Sequence, residues 1–215
     1  MRPLVILTSA TVIILSLLIF ATSALSNASA PLTPVQKFLA EQCDPHPCWR
    51  DIRPGTTSLA QAEQILHTLP VAQPDTYRVC WEKDPASCWN LTITTSTFQA
   101  PDDPIGRMTF QPPLGTFRLG DAVSKFGDPI SSIMCYINTP TNGDIGPEIQ
   151  RPLMIGYVSF KGGVKVVAYN PDDPLSRRMD LNMSVYWLYL QPSYDIYAPP
   201  WYGFAVQKKL GCNGG

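Results

Sequence analysis

The sequence predicts an α+β protein, with short helices packed on one face of an antiparallel β-sheet and disulfides stapling the whole. Three observations predict it. Apolar residues recur at helical spacing only in short stretches, and between those stretches the period changes to two. Among 215 residues there are 22 prolines and 14 glycines, which demand many turns and short elements. Finally, six cysteines follow an N-terminal segment of export type.

That segment is residues 1–30. Arg2 is the only charge before Lys37, and Leu4 to Phe20 is mostly Leu, Ile, Val and Ala. One basic residue ahead of an uncharged apolar run fits a secretory signal, or a signal-anchor that is retained. Seventeen helical residues span roughly 25 Å, against a hydrocarbon core of about 30 Å, and extension through Leu25 closes the gap. Ala24-Leu25-Ser26 and Ala28-Ser29-Ala30 are both small-x-small cleavage sites, the second hindered by Pro31. No cysteine lies near the end of the apolar run, which argues against a lipid anchor. Cleavage and retention both stay open. In either case the remainder is expected outside the cytoplasm, secreted or anchored, and an uncleaved segment would touch the membrane only through residues 4–25.

About 185 residues remain, enough for one medium domain or two small units. The expected division is 31–112 and 113–215, each a helix followed by strands. In the first, Thr33-Pro34-Val35-Gln36 has a capping-box pattern with proline at the first helical position, and Val35, Phe38 and Leu39 form its apolar side. Ser58 with Gln61 repeats the capping pattern, and Leu59, Ala62, Ile65, Leu66 and Leu69 keep helical spacing until Pro70. Thr76–Trp81 and Cys88–Thr95 then read as strands around the Asp84-Pro85 turn, with another strand at Arg107–Gln111.

In the second unit Leu119, Ala122, Val123 and Phe126 face one way, Gly127 suits the cap, and Pro129 blocks extension. Strands are expected at about Ile133–Asn138, Met154–Phe160, Val164–Tyr169 and Val185–Leu190, with Lys161-Gly162-Gly163 as a turn. Two coarse similarities suggest that the units are related. Arg53-Pro-Gly-Thr parallels Arg118-Leu-Gly-Asp, and Pro101-Asp-Asp-Pro parallels Pro171-Asp-Asp-Pro. Their offsets differ, so chance and shared turn chemistry remain as alternatives.

Cys43, Cys48, Cys80, Cys88, Cys135 and Cys212 are an even set in an oxidising setting, which favours three disulfides over a metal site. Zinc wants close Cys/His pairs two to four residues apart, and no pair of such pairs exists. Six cysteines permit fifteen pairings. The local preference is 43–48 and 80–88, which leaves 135–212. Loop closure gives roughly 2.6 kcal/mol for the 80–88 bridge and about 4.5 kcal/mol for 135–212.

Cys48-Trp49-x-x-Ile52-x-Pro54-Gly55-Thr56-Thr57, followed by Leu119-Gly120-Asp121-x-x-x-x-Phe126-Gly127-x-Pro129, resembles a group of uncharacterised exported bacterial proteins over about residues 45–170. More distantly, a Pro-Gly-Thr-Thr helix start and a Gly-x-Pro helix end before antiparallel strands is similar to two families. These are the β-lactamase inhibitor proteins and the small lipoproteins of the outer-membrane β-barrel assembly machinery. The resemblance implies helices on one face of an antiparallel sheet, and protein binding as the function. This chain departs from them in lacking the lipoprotein cysteine and in carrying extra cysteines and an aromatic tail.

A formal net charge of −1 and the absence of any long like-charge run argue against nucleic acid and against a polybasic membrane surface. Two histidines exist, His46 between two cysteines and His67 near a helix end. Redox motifs hold two residues between their cysteines, whereas this loop holds four. No nucleophile elbow, zincin motif or phosphate-cradling loop occurs, so no catalytic residue, cofactor or metal ligand is expected. Asp102/Asp103 and Asp172/Asp173 lie between prolines and read as solvated turns rather than paired catalytic carboxylates or a calcium loop.

Binding candidates come from the aromatic stretch Tyr186 to Phe204. On a regular strand Val185, Trp187 and Tyr189 share one side, and Tyr186 and Leu188 the other. The loop beyond offers Tyr194, Tyr197, Trp201 and Tyr202 as a platform for a sugar ring or a partner protein, with Trp49, Trp81 and Trp89 as further members. The alternative is that these rings cover the sheet. The expected function is a non-catalytic binding module for another envelope protein or a glycan. An envelope hydrolase acting on glycan or peptide, and a purely structural envelope domain, are the alternatives.

Overall fold

Capping and apolar spacing place three short helices. α1 (Pro34–Ala40) starts at its proline and buries Val35 and Phe38. α2 (Leu59–Leu66) starts with the expected capping box: Ser58 Oγ accepts from the Gln61 N–H at 3.3 Å, and Gln61 Oε1 accepts from the Ser58 N–H at 3.0 Å. In α3 (Leu119–Phe126) the Asp121 carboxylate accepts from the Arg118 N–H at 2.9 Å, and Gly127 closes the helix by donating to Val123 O at 3.0 Å. The computed structural model describes residues 13, 15, 16, 32–44, 47–73, 76–81, 83–95, 100–137, 153–192, 200, 201, 203, 204, 209 and 210. The chain divides into a unit of residues 1–33, in which Ile13, Leu15 and Ser16 are helical, and a unit of residues 34–215. Among the described residues no helix is long and apolar enough to cross a membrane.

Nine strands are described: β1 (Val71–Gln73), β2 (Thr76–Val79), β3 (Trp89–Thr95), β4 (Ile105–Gln111), β5 (Ser131–Ile137), β6 (Leu153–Ser159), β7 (Val164–Tyr169), β8 (Ser184–Leu190) and β9 (Lys209–Leu210). They form one sheet in the order β1-β2-β3-β4-β8-β7-β6-β5-β9. Neighbours run antiparallel except β5 and β9, which are parallel. The fold is therefore α+β. β1 and β9 have three and two residues, too few for a period-two pattern to be recognised in the sequence.

The β4–β8 pairing joins the two predicted helix-then-strands stretches into a single sheet. Several of their hydrogen bonds correspond. Leu59 and Ala60 donate to Asp103 O and Pro101 O, each at 2.9 Å, while Leu119 and Gly120 donate to Met183 O and Leu181 O, also at 2.9 Å. Ile105 donates to Thr57 O at 2.9 Å and Val185 to Phe117 O at 2.8 Å. Thr56 and Thr116 bond back to Arg53 O and Pro113 O. In β4–β8 the pairs Met108↔Leu190, Thr109↔Tyr189 and Phe110↔Leu188 map onto one another when Thr109 is matched with Tyr189.

These bonds equate Pro54-Gly55-Thr56-Thr57-Ser58-Leu59 with Leu114-Gly115-Thr116-Phe117-Arg118-Leu119. The two sequence parallels were thus out of register. Arg118 corresponds to Ser58 rather than to Arg53, and the turn at 101–103 corresponds to 181–183 rather than to 171–173. Local Pro-Asp-Asp-Pro composition reflects turn chemistry and not position in the fold.

Two apolar clusters are formed. The larger combines Phe38, Ala62, Leu66, Leu119 and Ala122 from the helices with Leu91, Ile93, Met108, Phe110, Val164, Val166, Leu188 and Leu190 from the strands. Phe38 is its hub, with ring centroids 4.6 Å from Trp89 and 4.9 Å from Phe110. The smaller consists of alternate strand residues, Cys135, Leu153, Ile155, Val167, Tyr169 and Tyr186. Strand alternation puts these on the outward side, opposite the larger cluster.

Two disulfides follow the local preference. Cys43–Cys48 (Cα–Cα 5.1 Å) closes a loop continued by the antiparallel bridges Gln42↔Trp49 and Trp49↔Ile52. Cys80–Cys88 (Cα–Cα 4.3 Å) follows the last β2–β3 pair, Val79↔Trp89, and staples that hairpin. Cys135 is also disulfide-bonded, and its expected partner Cys212 lies outside the described residues. The bridges fit an oxidising environment.

Candidate functional site

The aromatic candidates do not assemble as one described surface. Tyr194, Tyr197 and Tyr202 lie outside the described residues. Trp201 is half-buried; it stacks edge-on with Phe204 at 5.1 Å, and both pack against the larger cluster. Its N–H donates to Ile130 O at 3.1 Å, and Pro200 bridges Ser131, which holds this stretch beside the start of β5. Trp49 and Trp89 are fully buried, so neither contributes to a surface. Their rings fill the space around Phe38 and Phe110, where a bulky apolar group is worth more than at the surface. Trp81 is half-buried, and its indole N–H donates to Glu41 Oε1 at 3.0 Å.

Asp103, the 170–173 turn and His67 make local contacts. Asp103 accepts from the Ala100 N–H at 3.0 Å, and Asn170 caps the other turn by accepting from the Asp172 and Asp173 N–H groups at 3.0 and 3.2 Å. His67 is the exposed C-cap of α2, its Nδ1 facing Gln64 O, while His46 lies outside the described residues. Ligand atoms of Cys43, Cys48 and Asp51 come within 4.8 Å of one another, but the two sulfurs are joined and offer no thiolate.

A built hollow does exist, on the outward side of the sheet. The register creates it. Ser131, Ser159, Lys165, Tyr189 and Thr109 form one cross-strand row over β5, β6, β7, β8 and β4. The adjacent row is Ile133, Tyr157, Val167 and Trp187. A depression of about 290 Å³ is lined by Ser159, Lys165 and Tyr189 of the first row, Ile133 and Tyr157 of the second, and Arg107, Val158 and Gln191. Alternation along each strand keeps their neighbours Val158, Val166, Leu188 and Met108 in the core.

A β-bulge explains the aromatic content. Val167 pairs with Trp187 but Ala168 pairs with Val185, so Tyr186 is an extra residue in β8. Val185 therefore joins the larger cluster, while Tyr186, Trp187 and Tyr189 all belong to the outward one. The expected grouping of Val185 with Trp187 and Tyr189 is corrected by this single insertion. Tyr186 and Trp187 pack at 4.6 Å, and Gln111 Nε2 donates to the Tyr186 hydroxyl at 3.0 Å.

Charge is concentrated at the hollow. The Arg107 guanidinium stacks over the Tyr189 ring at 5.3 Å. Lys165 is half-buried, and its pKa lies below the ordinary 10.5, first because burial desolvates the ammonium and second because Arg107 repels it. Among the described residues no carboxylate is ion-paired with either cation. The hollow can thus hold an anion between an ammonium and a guanidinium, with phenol rings beside it. Sequence reading missed Arg107, Lys165 and Tyr157 because their strands say nothing about which residues meet across the sheet. The available signal was a lone cation on the period-two pattern of each strand, Lys165 within Val-Lys-Val-Val and Arg107 within Ile-Gly-Arg-Met.

Compared with family models, curated proteins and solved structures, the chain matches none.

Proposed function

We propose that this protein is an extracytoplasmic, non-catalytic binding module, secreted or held at the membrane by residues 4–25. In this reading it is built from two related helix-then-strands units whose helices cover one face of the shared sheet. The outward face then takes the partner, another envelope protein or a glycan presenting an anionic group. One observation carries the reading: Arg107 and Lys165 stand together at a 290 Å³ hollow with no carboxylate partner among the described residues. Fixing two like charges side by side, one of them half-buried, weakens the fold unless an external anion completes the site. The resemblance to exported helix-on-sheet binding proteins supports the same conclusion, as do the disulfides for the compartment.

The test is affinity recovery from an envelope fraction with the oxidised full chain. The unsubstituted protein should recover a discrete partner that an Arg107→Gln/Lys165→Met variant does not. Equal recovery by both, or chemical turnover of the recovered molecule, would defeat the proposal.

A further inference from the structure

We infer that the hollow between Tyr157, Tyr189, Lys165 and Arg107 receives a carboxylate carried on a flat apolar ring. The inference rests on the binding-module reading and names the ligand class for the same site. The cations require an anion. Lys165 sits in register between Ser159 and Tyr189, and Arg107 reaches over Tyr189 from β4, so both can address one group. Arg107 has its Cζ 5.3 Å from the Tyr189 ring centroid, and its in-plane N–H donors together with the Lys165 ammonium match the two oxygens of one carboxylate.

The walls require the rest of the ligand. Ile133 and the rings of Tyr157 and Tyr189 make the lining mostly apolar, and Tyr157 is 38% exposed. A bare inorganic anion would neutralise the cations but leave the exposed part of the Tyr157 ring in water. A flat ring covers it by stacking. At about 290 Å³ the hollow lies at the small end of ligand sites, which run roughly 300–1,000 Å³, and so admits one ring with its acid group.

The comparison between the two halves points to the same residues. Aligning β3–β4 with β7–β8 through the Thr109–Tyr189 match equates Leu91 with Val164, Ile93 with Val166 and Met108 with Leu188, apolar pairs that all face the core. On the outward side the same alignment equates Thr92 with Lys165, Thr109 with Tyr189 and Trp187 with Arg107. One half therefore carries the ammonium and the ring where the other carries threonines. This hollow has no copy in the other half at those positions.

Two sources share this chemistry, a free small ring acid and the C-terminal aromatic residue of a peptide. Backbone-amide NMR and calorimetry on the oxidised full chain separate them, using hydrocinnamate, its neutral alcohol, inorganic phosphate, and a short peptide ending in Phe with a free or amidated terminus. Hydrocinnamate is expected to shift the amides of Arg107, Tyr157, Lys165 and Tyr189 and to bind with Kd of about 1 mM or tighter. The alcohol should bind about tenfold more weakly, and Arg107→Gln and Lys165→Met should each lose about tenfold. Both variants should keep the unfolding midpoint of the parent or exceed it, since each removes one of two repelling cations. A free-terminus peptide that outbinds hydrocinnamate identifies a chain end as the source; the reverse identifies a free acid. Equal binding of acid and alcohol, or of phosphate and acid, overturns the ligand class while leaving a binding module standing. Silence of these amides to every probe overturns the ligand class, and equal envelope-fraction recovery by parent and Arg107→Gln/Lys165→Met overturns the binding module itself.

Discussion

Gly55→Ala is the substitution that most sharply tests how α2 is seated. Gly55 has φ +87°, its N–H donates to Ile105 O at 2.7 Å, and a Cβ there would lie 2.9 Å from Pro192 Cγ. Its counterpart Gly115 has φ +76° and nothing within 4 Å of an added Cβ. Both substitutions carry the left-handed penalty of about 1–2 kcal/mol, partly offset by about 0.4–1 kcal/mol from the restricted unfolded chain. Gly115→Ala should therefore cost about 1 kcal/mol. Gly55→Ala adds overpacking against a stiff proline ring, about 1–3 kcal/mol more, for a total near 2–4 kcal/mol. Pro192→Ala removes the offending Cγ, so in the Gly55→Ala background it should recover about 1–2 kcal/mol. Urea unfolding of the oxidised chain, followed by tryptophan fluorescence, measures all four proteins. If Gly55→Ala and Gly115→Ala differ by less than about 0.5 kcal/mol, the contact with Pro192 has no energetic weight and the reasoning fails.

Further predictions concern the core, the strained turn, the hollow and the bridges. Phe38→Ala should cost about 3–5 kcal/mol, because Phe38 is fully buried against Trp89 and Phe110 and is one of only two buried residues in α1; a loss under about 1.5 kcal/mol in the same urea assay would contradict that role. Asp51→Gly should stabilise by about 0.5–1 kcal/mol, since Arg50 and Asp51 both have positive φ (47° and 64°) in a two-residue turn that favours glycine at its second position; destabilisation would show that the Asp51 side chain matters more than its backbone. The Lys165 ε-methylene titration, followed by NMR, should fall below 10.5, and Arg107→Gln should raise it only in part, because burial is the larger cause. With the folded pKa lowered, the unfolded state binds more protons between that value and 10.5, so stability should rise as pH climbs through this window. Titration at or above 10.5 would refute the buried-cation account. A non-reducing peptide map should recover Cys43–Cys48 and Cys80–Cys88 with a third linked pair containing Cys135, and a free thiol at Cys135 would contradict the structure.

Helices and strands were legible because their signals are local. Ser58 with Gln61 marked the start of α2, Gly127 marked the end of α3, and period-two runs marked seven of the strands to within about two residues. The two short disulfides were legible for the same reason, since loops of five and eight residues close easily. Misreadings arose where a long-range relation decided the outcome. Trp49 and Trp89 looked like surface aromatics until the packing around Phe38 buried them. One inserted residue, Tyr186, sent Val185 and Trp187 to opposite sides.

By itself, then, the sequence determined an α+β chain of short elements, its helix caps, its hairpin staple and a cysteine set suited to an oxidising compartment. Each of these depends on residues within about one turn or one hairpin of each other. Only the tertiary structure decided that the two halves share one sheet through β4 and β8, and in which register. Only that register brings Arg107, Tyr157, Lys165 and Tyr189 together from four strands. Strand pairing between segments tens of residues apart is chosen by burial of the whole sheet, so no local stretch of chain encodes the hollow.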